Sequence, residues 1–526
     1  MDDAAKPRHG RRPGDLRMVM RRRAKLPRTL GTGALFSACY GNVGSSIYYA
    51  LGVTAAFALG LTPLALLLAG CIFVTTALNY AEGTAAMPHA GGSSSFARKA
   101  FNVPIGFIVG WIQLLNYTAT VSISAYTAVA YLSALGTYVP ALLVLNTPLW
   151  HVLVTVLLVG LLIVLNVVGI QESSVMNLFL ALLDLSTQLV LVVLGAVLLL
   201  NFRVVLSNIH LGVAPTWGNF LASISLAMVS YTGIETISNM SEEARNPGRT
   251  VPRATFFVII AVLFVSAFLP TIGMSVFPVH IDPQTHQYVT ALGGSHWRND
   301  PVSGIVSKLH PAWLAHAAGV WVAILAFTIL VIATNAGLIG ISRLSYSLAS
   351  HDLFPRAFSR LHPRFKTPFV SIIVFGIGAS ILILGNRIDQ MAAVYSLAAT
   401  FAFCIAHLAV MRLRYVDPDL HRPFKMPLNI RWRGSEIPVL SVIGALFIGA
   451  VFTQLLLQNI ASSTYIFGGW VALGVVVFIL YRRFRKQPAW EPLERAPSRR
   501  PAPAPSMAPS PRGERIHVPR HPRKGG

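Results

Sequence analysis

Charged side chains are scarce: Asp, Glu, Lys and Arg make up 12% of the 526 residues, against 54% hydrophobic residues and a mean hydropathy of +0.61. A water-facing surface cannot be built from so little polarity, which excludes an ordinary soluble enzyme. Cysteine is scarcer still. Cys39, Cys71 and Cys404 all fall in apolar stretches, so they offer neither a disulfide framework nor zinc-ligand spacing and read as small core residues. The HExxH, GxSxG and P-loop patterns that a membrane enzyme would need are missing as well. The chain is therefore read as a non-enzyme with no metal and no cofactor.

What the sequence does contain is long uncharged runs. Thr29 to Ala81, Ala100 to Gln171 and Ile437 to Tyr481 hold no Asp, Glu, Lys or Arg, and each is long enough for two bilayer spans of ~20 residues. Breaking the apolar sequence at its Gly, Pro and polar clusters predicts an all-α membrane protein with twelve transmembrane helices. Their approximate positions are 30–57, 62–86, 104–138, 148–169, 176–201, 217–240, 252–277, 312–348, 367–386, 390–411, 437–458 and 463–481.

Lys and Arg number 42 and Asp and Glu 19, a net charge of +23 that in a soluble chain would suggest nucleic acid. Placement gives another reason for it. With both termini in the cytoplasm, 38 of the 42 basic residues fall in the leader, the inner loops and the tail, as orientation by loop charge requires. The excess is thus a topology signal with added attraction for anionic lipid, and no nucleic acid is expected as a partner. This reading divides the chain into a basic cytoplasmic tail (1–29), a ten-span core (30–411), a cytoplasmic loop (412–436), spans eleven and twelve (437–483) and a Pro/Arg-rich disordered cytoplasmic tail (484–526). The expected location is the cell membrane, with the 278–311 segment as an external loop that could cover a site.

Within the first span, GNVGSS (Gly41 to Ser46) interrupts a helix-forming sequence with two glycines and small polar residues. Two readings are open: an unwound stretch whose freed backbone groups meet a small polar substrate, or a face for close helix packing. The sixth span repeats the pattern in SYTGIE (Ser230 to Glu235), which adds a carboxylate. The breaks lie five spans apart and so enter from opposite faces, as an inverted five-plus-five repeat (LeuT-type) requires. Half-helix N-termini there would receive a substrate carboxylate, and freed carbonyls would accept from an ammonium. An amino acid or amine is the substrate this suits.

At these residues the chain resembles the amino acid–polyamine–organocation (APC) family of permeases. The similarity extends over roughly Thr29 to Arg483. It rests on GNVGSSIYYALG, on YAEGTAAMPHAGGSSSFARKAF (Tyr80 to Phe101), on YTGIETISNMSEEARNPGRTVPRA, on TNAGLIGISRLSYSLASHDLFPRAF and on LHRPFKMP. The resemblance implies a secondary transporter of amino acids or related amines, working by alternating access through proton coupling or exchange. Gly41, Gly44, Ser45, Ser46 and Gly233 are then expected to line the substrate site, with Tyr231 as an aromatic lid; an ordinary packing role is the alternative for Tyr231. Val43 and Tyr48 depart from the family's more usual Ile and Phe. GNVGSSIYYALG is also similar to the GD-x-GTS-x-LYAL stretch of KUP potassium transporters, so cation uptake is a second reading, although Asn42 replaces the acidic residue that suits a bare cation.

Three further carboxylates complete the set. Glu82, at the inner end of span two, reads as a structural group paired with basic loop residues. Glu235 is intramembrane and therefore a functional candidate, with a fixed hydrogen bond to backbone as the alternative. Asp184 is the sole ionisable side chain between Glu172 and Arg203, where a charge is costly unless paired, hydrated or neutralised by a proton. Some proton-coupled family members carry a lysine near this point, so the resemblance makes Asp184, with Glu235, a candidate proton-coupling group. The competing reading holds Asp184 by Ser or Thr hydroxyls of a neighbouring span.

Overall fold

The computed structural model describes residues 28–89, 91–169, 174–294, 296–432 and 435–486. All of these lie in one unit, Met1–Glu491. The basic leader through Pro27 and the Pro/Arg-rich segment after Lys486 fall outside the described residues.

The first half of the described chain forms α1 (Thr32–Val43), a 3-10 turn at Gly44–Ser46, α2 (Ile47–Ala58), α3 (Thr62–Ala86), α4 (Gly92–Ala100), α5 (Val103–Ala134), α6 (Pro148–Val168), α7 (Ser174–Leu198), α8 (Phe202–Ser207), α9 (Trp217–Ala227) and α10 (Glu235–Asn239). The second half forms α11 (Pro247–Val276), α12 (Pro301–Val306), α13 (Ala312–Ser350), α14 (Phe369–Leu384), α15 (Ile388–Val416), α16 (Val439–Gln458) and α17 (Ser463–Phe484). Strand structure among the described residues is confined to two antiparallel hairpins in loops. They are β1 (His280–Ile281) with β2 (Tyr288–Val289), and β3 (Asn429–Trp432) with β4 (Ser435–Pro438). Among the described residues ten helical stretches are long and apolar enough to cross a bilayer, the first running from Thr32 to Ala86 through its 3-10 turns. The chain is a multi-pass, all-helical membrane protein.

Local chemistry sets the helix ends. Prolines open α5, α6, α11 and α12, where a missing N–H removes no helical bond. Asn102 caps α5 by accepting from the Ile105 N–H at 2.9 Å, and Gly169 closes α6 in the left-handed region. α5 is the central post. It is buried along almost its whole length and packs against α4, α13, α14 and α15. By contrast α6, α7, α14, α16 and α17 present large apolar side chains outward, Leu157 at 71% and Leu457 at 77% exposure among them. Such surfaces would aggregate in water and are neutral in lipid.

The interior is unusual for its polar content. Asn42, Gln113, Asn116, Asp184, Glu235 and His407 are all buried, along with seven tyrosines exposed by less than 2%. Polar groups at membrane depth persist where they partner one another or face a transport path.

Candidate functional site

The sixth segment is a true helix break. After α9 a 3-10 turn runs from Met228 to Tyr231, Thr232 is extended at ψ 153°, and Gly233 takes φ +109° before α10 begins. Only glycine fits there, because a Cβ would lie 2.8 Å from Asn42 Nδ2 in addition to the unfavourable φ. The N–H of Gly233 donates to Glu235 Oε2 at 3.1 Å, and Asn116 Nδ2 on α5 donates to Oε1 at 2.6 Å. Among the described residues no cationic side chain pairs with this buried carboxylate.

The first segment behaves differently from expectation. Gly44–Ser46 tightens into a 3-10 turn and does not unwind: Val43, Gly44, Ser46 and Ile47 all keep right-handed helical angles. Its backbone is satisfied locally, the Gly44 N–H bonding to the Tyr40 carbonyl, while the Ser45 and Ser46 hydroxyls donate to the Asn42 carbonyl at 3.2 and 3.1 Å. The serines that looked like ligand groups supply part of the turn's own bonding. The two segments meet directly, Asn42 Nδ2 donating to Thr236 Oγ1 at 3.1 Å.

Beside this junction lies a cavity of about 140 Å³. It reaches from Gly41, Tyr117 and Thr236 past Asn239 and Asn335 to the Glu243–Arg343 ion pair, whose N···O distance is 3.0 Å. Asn239 is fixed by donating to the Tyr117 hydroxyl and by accepting from the Gly91 N–H at 3.1 Å. Of the expected site residues Gly41 lines the cavity; Gly44, Ser45, Ser46, Tyr231 and Gly233 do not. Tyr231 faces α3, its hydroxyl donating to the Leu66 carbonyl at 2.7 Å and its ring stacked on Phe73.

Asp184 sits apart from Glu235, fully buried on α7. Three donors converge on it: Tyr48 at 2.7 Å on Oδ1, Tyr40 at 3.1 Å and Gln188 at 2.8 Å on Oδ2. The hydroxyls are phenolic and come from the first segment, where a Ser or Thr of a neighbouring span was the alternative expectation.

The sequence pattern described as amino acid permease matches residues 30–480. The chain belongs to the amino acid permease family. Its relatives include the branched-chain amino acid permease BcaP of Bacillus subtilis, 26% identical over 86% of this chain and 91% of the relative. The low-affinity putrescine importer PlaP of Escherichia coli is 24% identical over 82% and 88%, and the methylthioribose transporter of B. subtilis 23% over 84% and 90%. This permease is a transporter and not an enzyme, and these names lend no support to the potassium reading.

Several of the permease's buried groups escaped sequence reasoning. Asn116 carried a faint signal, being an amide in the middle of an uncharged run. Tyr40 and Tyr48 flank Gly44 at four residues on either side, one helical face, and Gln188 follows Asp184 by four. Spacing alone names no partner across the fold. Glu82 accepts from Arg414 through Nε at 2.8 Å and Nη2 at 2.5 Å, and from the Met426 N–H at 2.9 Å, which binds the C-terminal end of α3 to α15 and the loop after it.

Proposed function

We propose that this permease is a secondary active transporter that moves amino acids or related organic amines across the cell membrane by alternating access, coupled to protons or to exchange. The observation that carries the reading is the junction of the first and sixth segments. A glycine-dependent break, an inter-segment bond from Asn42 to Thr236 and a buried carboxylate held only by amide donors lie together there. A carboxylate without a cation is a counter-charge for a substrate ammonium. Two of the three relatives named above carry substrates that bear one, a branched-chain amino acid and putrescine.

In this scheme the chain has twelve spans in an inverted five-plus-five arrangement, both termini cytoplasmic. The stretch Thr32–Ala86 counts as two spans parted at Leu59, where φ is 48°, and the 16-residue α14 counts as one. Gly41, Gly44, Ser45, Ser46 and Gly233 line the substrate site, and the 3-10 turn opens to offer its N–H groups to a carboxylate. Tyr231 swings from α3 to close the site. Asp184 binds the coupling proton, with Glu235 as the second proton-binding group.

A thermal-shift series on the purified protein tests the substrate class, since a ligand that binds only the folded state raises apparent stability. An amino acid or amine should raise Tm in a concentration-dependent way. Stabilisation by potassium over an equal concentration of sodium, with no response to any amine, contradicts the proposal.

A further inference from the structure

Tyr40, Gly44 and Tyr48 follow one another at four-residue spacing and therefore share one face of the first segment, with the 3-10 turn Gly44–Ser46 between the two phenols. Gly44 leaves that face open: a Cβ there would meet the Tyr40 ring at 2.6 Å. Both hydroxyls end on Asp184 of α7. Other contacts fix the phenols from behind. Phe36 stacks on Tyr40, while the Tyr131 hydroxyl donates to the Tyr48 carbonyl at 3.0 Å and its ring meets Tyr48 edge-on.

Donor counting gives the clasp a state dependence. An ionised Asp184 is a pure acceptor, and Tyr40, Tyr48 and the donor-only amide nitrogen of Gln188 satisfy it together. A proton on Oδ1 turns that oxygen into a donor that faces the donating Tyr48 hydroxyl. A proton on Oδ2 does the same toward Tyr40, because the Gln188 Nε2 cannot accept. In either case one phenol must turn its hydrogen away and accept from the carboxyl instead, which exchanges a charge-assisted bond for a weaker neutral one. The step adds one proton to Asp184 and breaks no covalent bond. The titratable groups around Asp184 are Tyr40 on α1, Tyr48 on α2 and, behind it, Tyr131 on α5. Among the described residues α1, α11 and α13, which pack on α7, bring no Lys, Arg, His or second carboxyl to it.

We propose that Tyr40 and Tyr48 are positioning residues that convey the protonation state of Asp184 to the first-segment turn, clamping Gly44–Ser46 to α7 when Asp184 is ionised and releasing it when Asp184 is protonated. This rests on the reading of Asp184 as the coupling group. It adds a mechanical link between that group and the turn that must open for substrate.

Hydrogen exchange of the full-length protein in nanodiscs, corrected for intrinsic rates, tests the link over residues 40–49 at alkaline and acidic pH. In the parent, exchange should accelerate by about tenfold on acidification, the worth of one charge-assisted bond. Asp184→Asn, Tyr40→Phe and Tyr48→Phe should exchange fast at both pH values and lose the step. A purely structural tyrosine would lower Tm yet keep the step, and that result contradicts the clasp. Absence of the step in the parent contradicts it equally, whatever the folding of the variants. Proton-driven accumulation in vesicles separates the two readings. Asp184→Asn accumulating like the parent removes Asp184 as the coupling group, whereas its failure to accumulate beside tyrosine variants that keep the pH step removes the clasp alone.

Discussion

Asn42 Nδ2 lies 3.1 Å from Thr236 Oγ1, and this bond ties the first segment to the sixth across 194 residues of sequence. The same Asn42 side chain fills the space beside Gly233 where a Cβ would otherwise stand. The break in the sixth segment and the interruption in the first are therefore one packed unit, and the cavity opens next to it through Gly41 and Thr236.

Gly233→Ala should damage this unit out of proportion to its size. The new methyl group meets Asn42 and forces a non-glycine residue to φ +109°, which costs about 1–3 kcal/mol in strain. Gly449→Ala is the control: its Cβ meets nothing within 4 Å on α16, so it should be neutral or stabilise slightly. Thermal unfolding with and without substrate reads both effects, and equal behaviour of the two variants contradicts the role given to Gly233.

Glu82 and Arg414 form a buried pair with 1% and 3% side-chain exposure. Arg414→Met removes both guanidinium bonds from the carboxylate and leaves it the Met426 N–H and Arg422, whose Nε lies 3.9 Å from Glu82 Oε1, a loss of about 1.5–3 kcal/mol. The double variant Glu82→Gln with Arg414→Met should cost less than the single one. A Tm series checks the ordering, and substrate affinity of the folded fraction should remain at the parent value because the pair ties α3 to α15 and takes no part in the bonds that join the first segment to the sixth.

Orientation is open to direct labelling. Gln284, in the loop between β1 and β2, and Lys366, between α13 and α14, are both exposed. In a cysteine-free background Gln284→Cys should react with an impermeant maleimide on intact cells, and Lys366→Cys only after permeabilisation. The reverse pattern inverts the topology.

The apolar runs made the bundle legible because a bilayer imposes one requirement on every span, enough apolar residues to cross it. Span eight, read as 312–348, is observed at Ala312–Ser350. Ends were less legible where charge stays helical. Span ten was read to 411 but α15 continues to Val416, since Arg414 is buried against Glu82 and need not leave the helix. Composition marked Gly233 as a break, yet it marked Gly44–Ser46 in the same way. The serine hydroxyls keep that turn helical by bonding Asn42, a local choice that residue type alone does not decide. Asp184 stood out as a lone charge, but its partners Tyr40 and Tyr48 lie 144 and 136 residues away, and periodicity reports a face without its neighbour.

The central claim is that the first and sixth segments bind an amine-bearing substrate, with Glu235 as its counter-charge. Counterflow in proteoliposomes tests this most directly: vesicles loaded with unlabelled amino acid or amine are diluted into a trace of the labelled compound, for the parent and for Glu235→Gln. The account predicts transient accumulation by the parent, and a loss of about tenfold or more per folded protein in Glu235→Gln, the scale of one buried charged hydrogen bond. Accumulation by Glu235→Gln at the parent rate, or no counterflow of any amine by the folded parent, contradicts it.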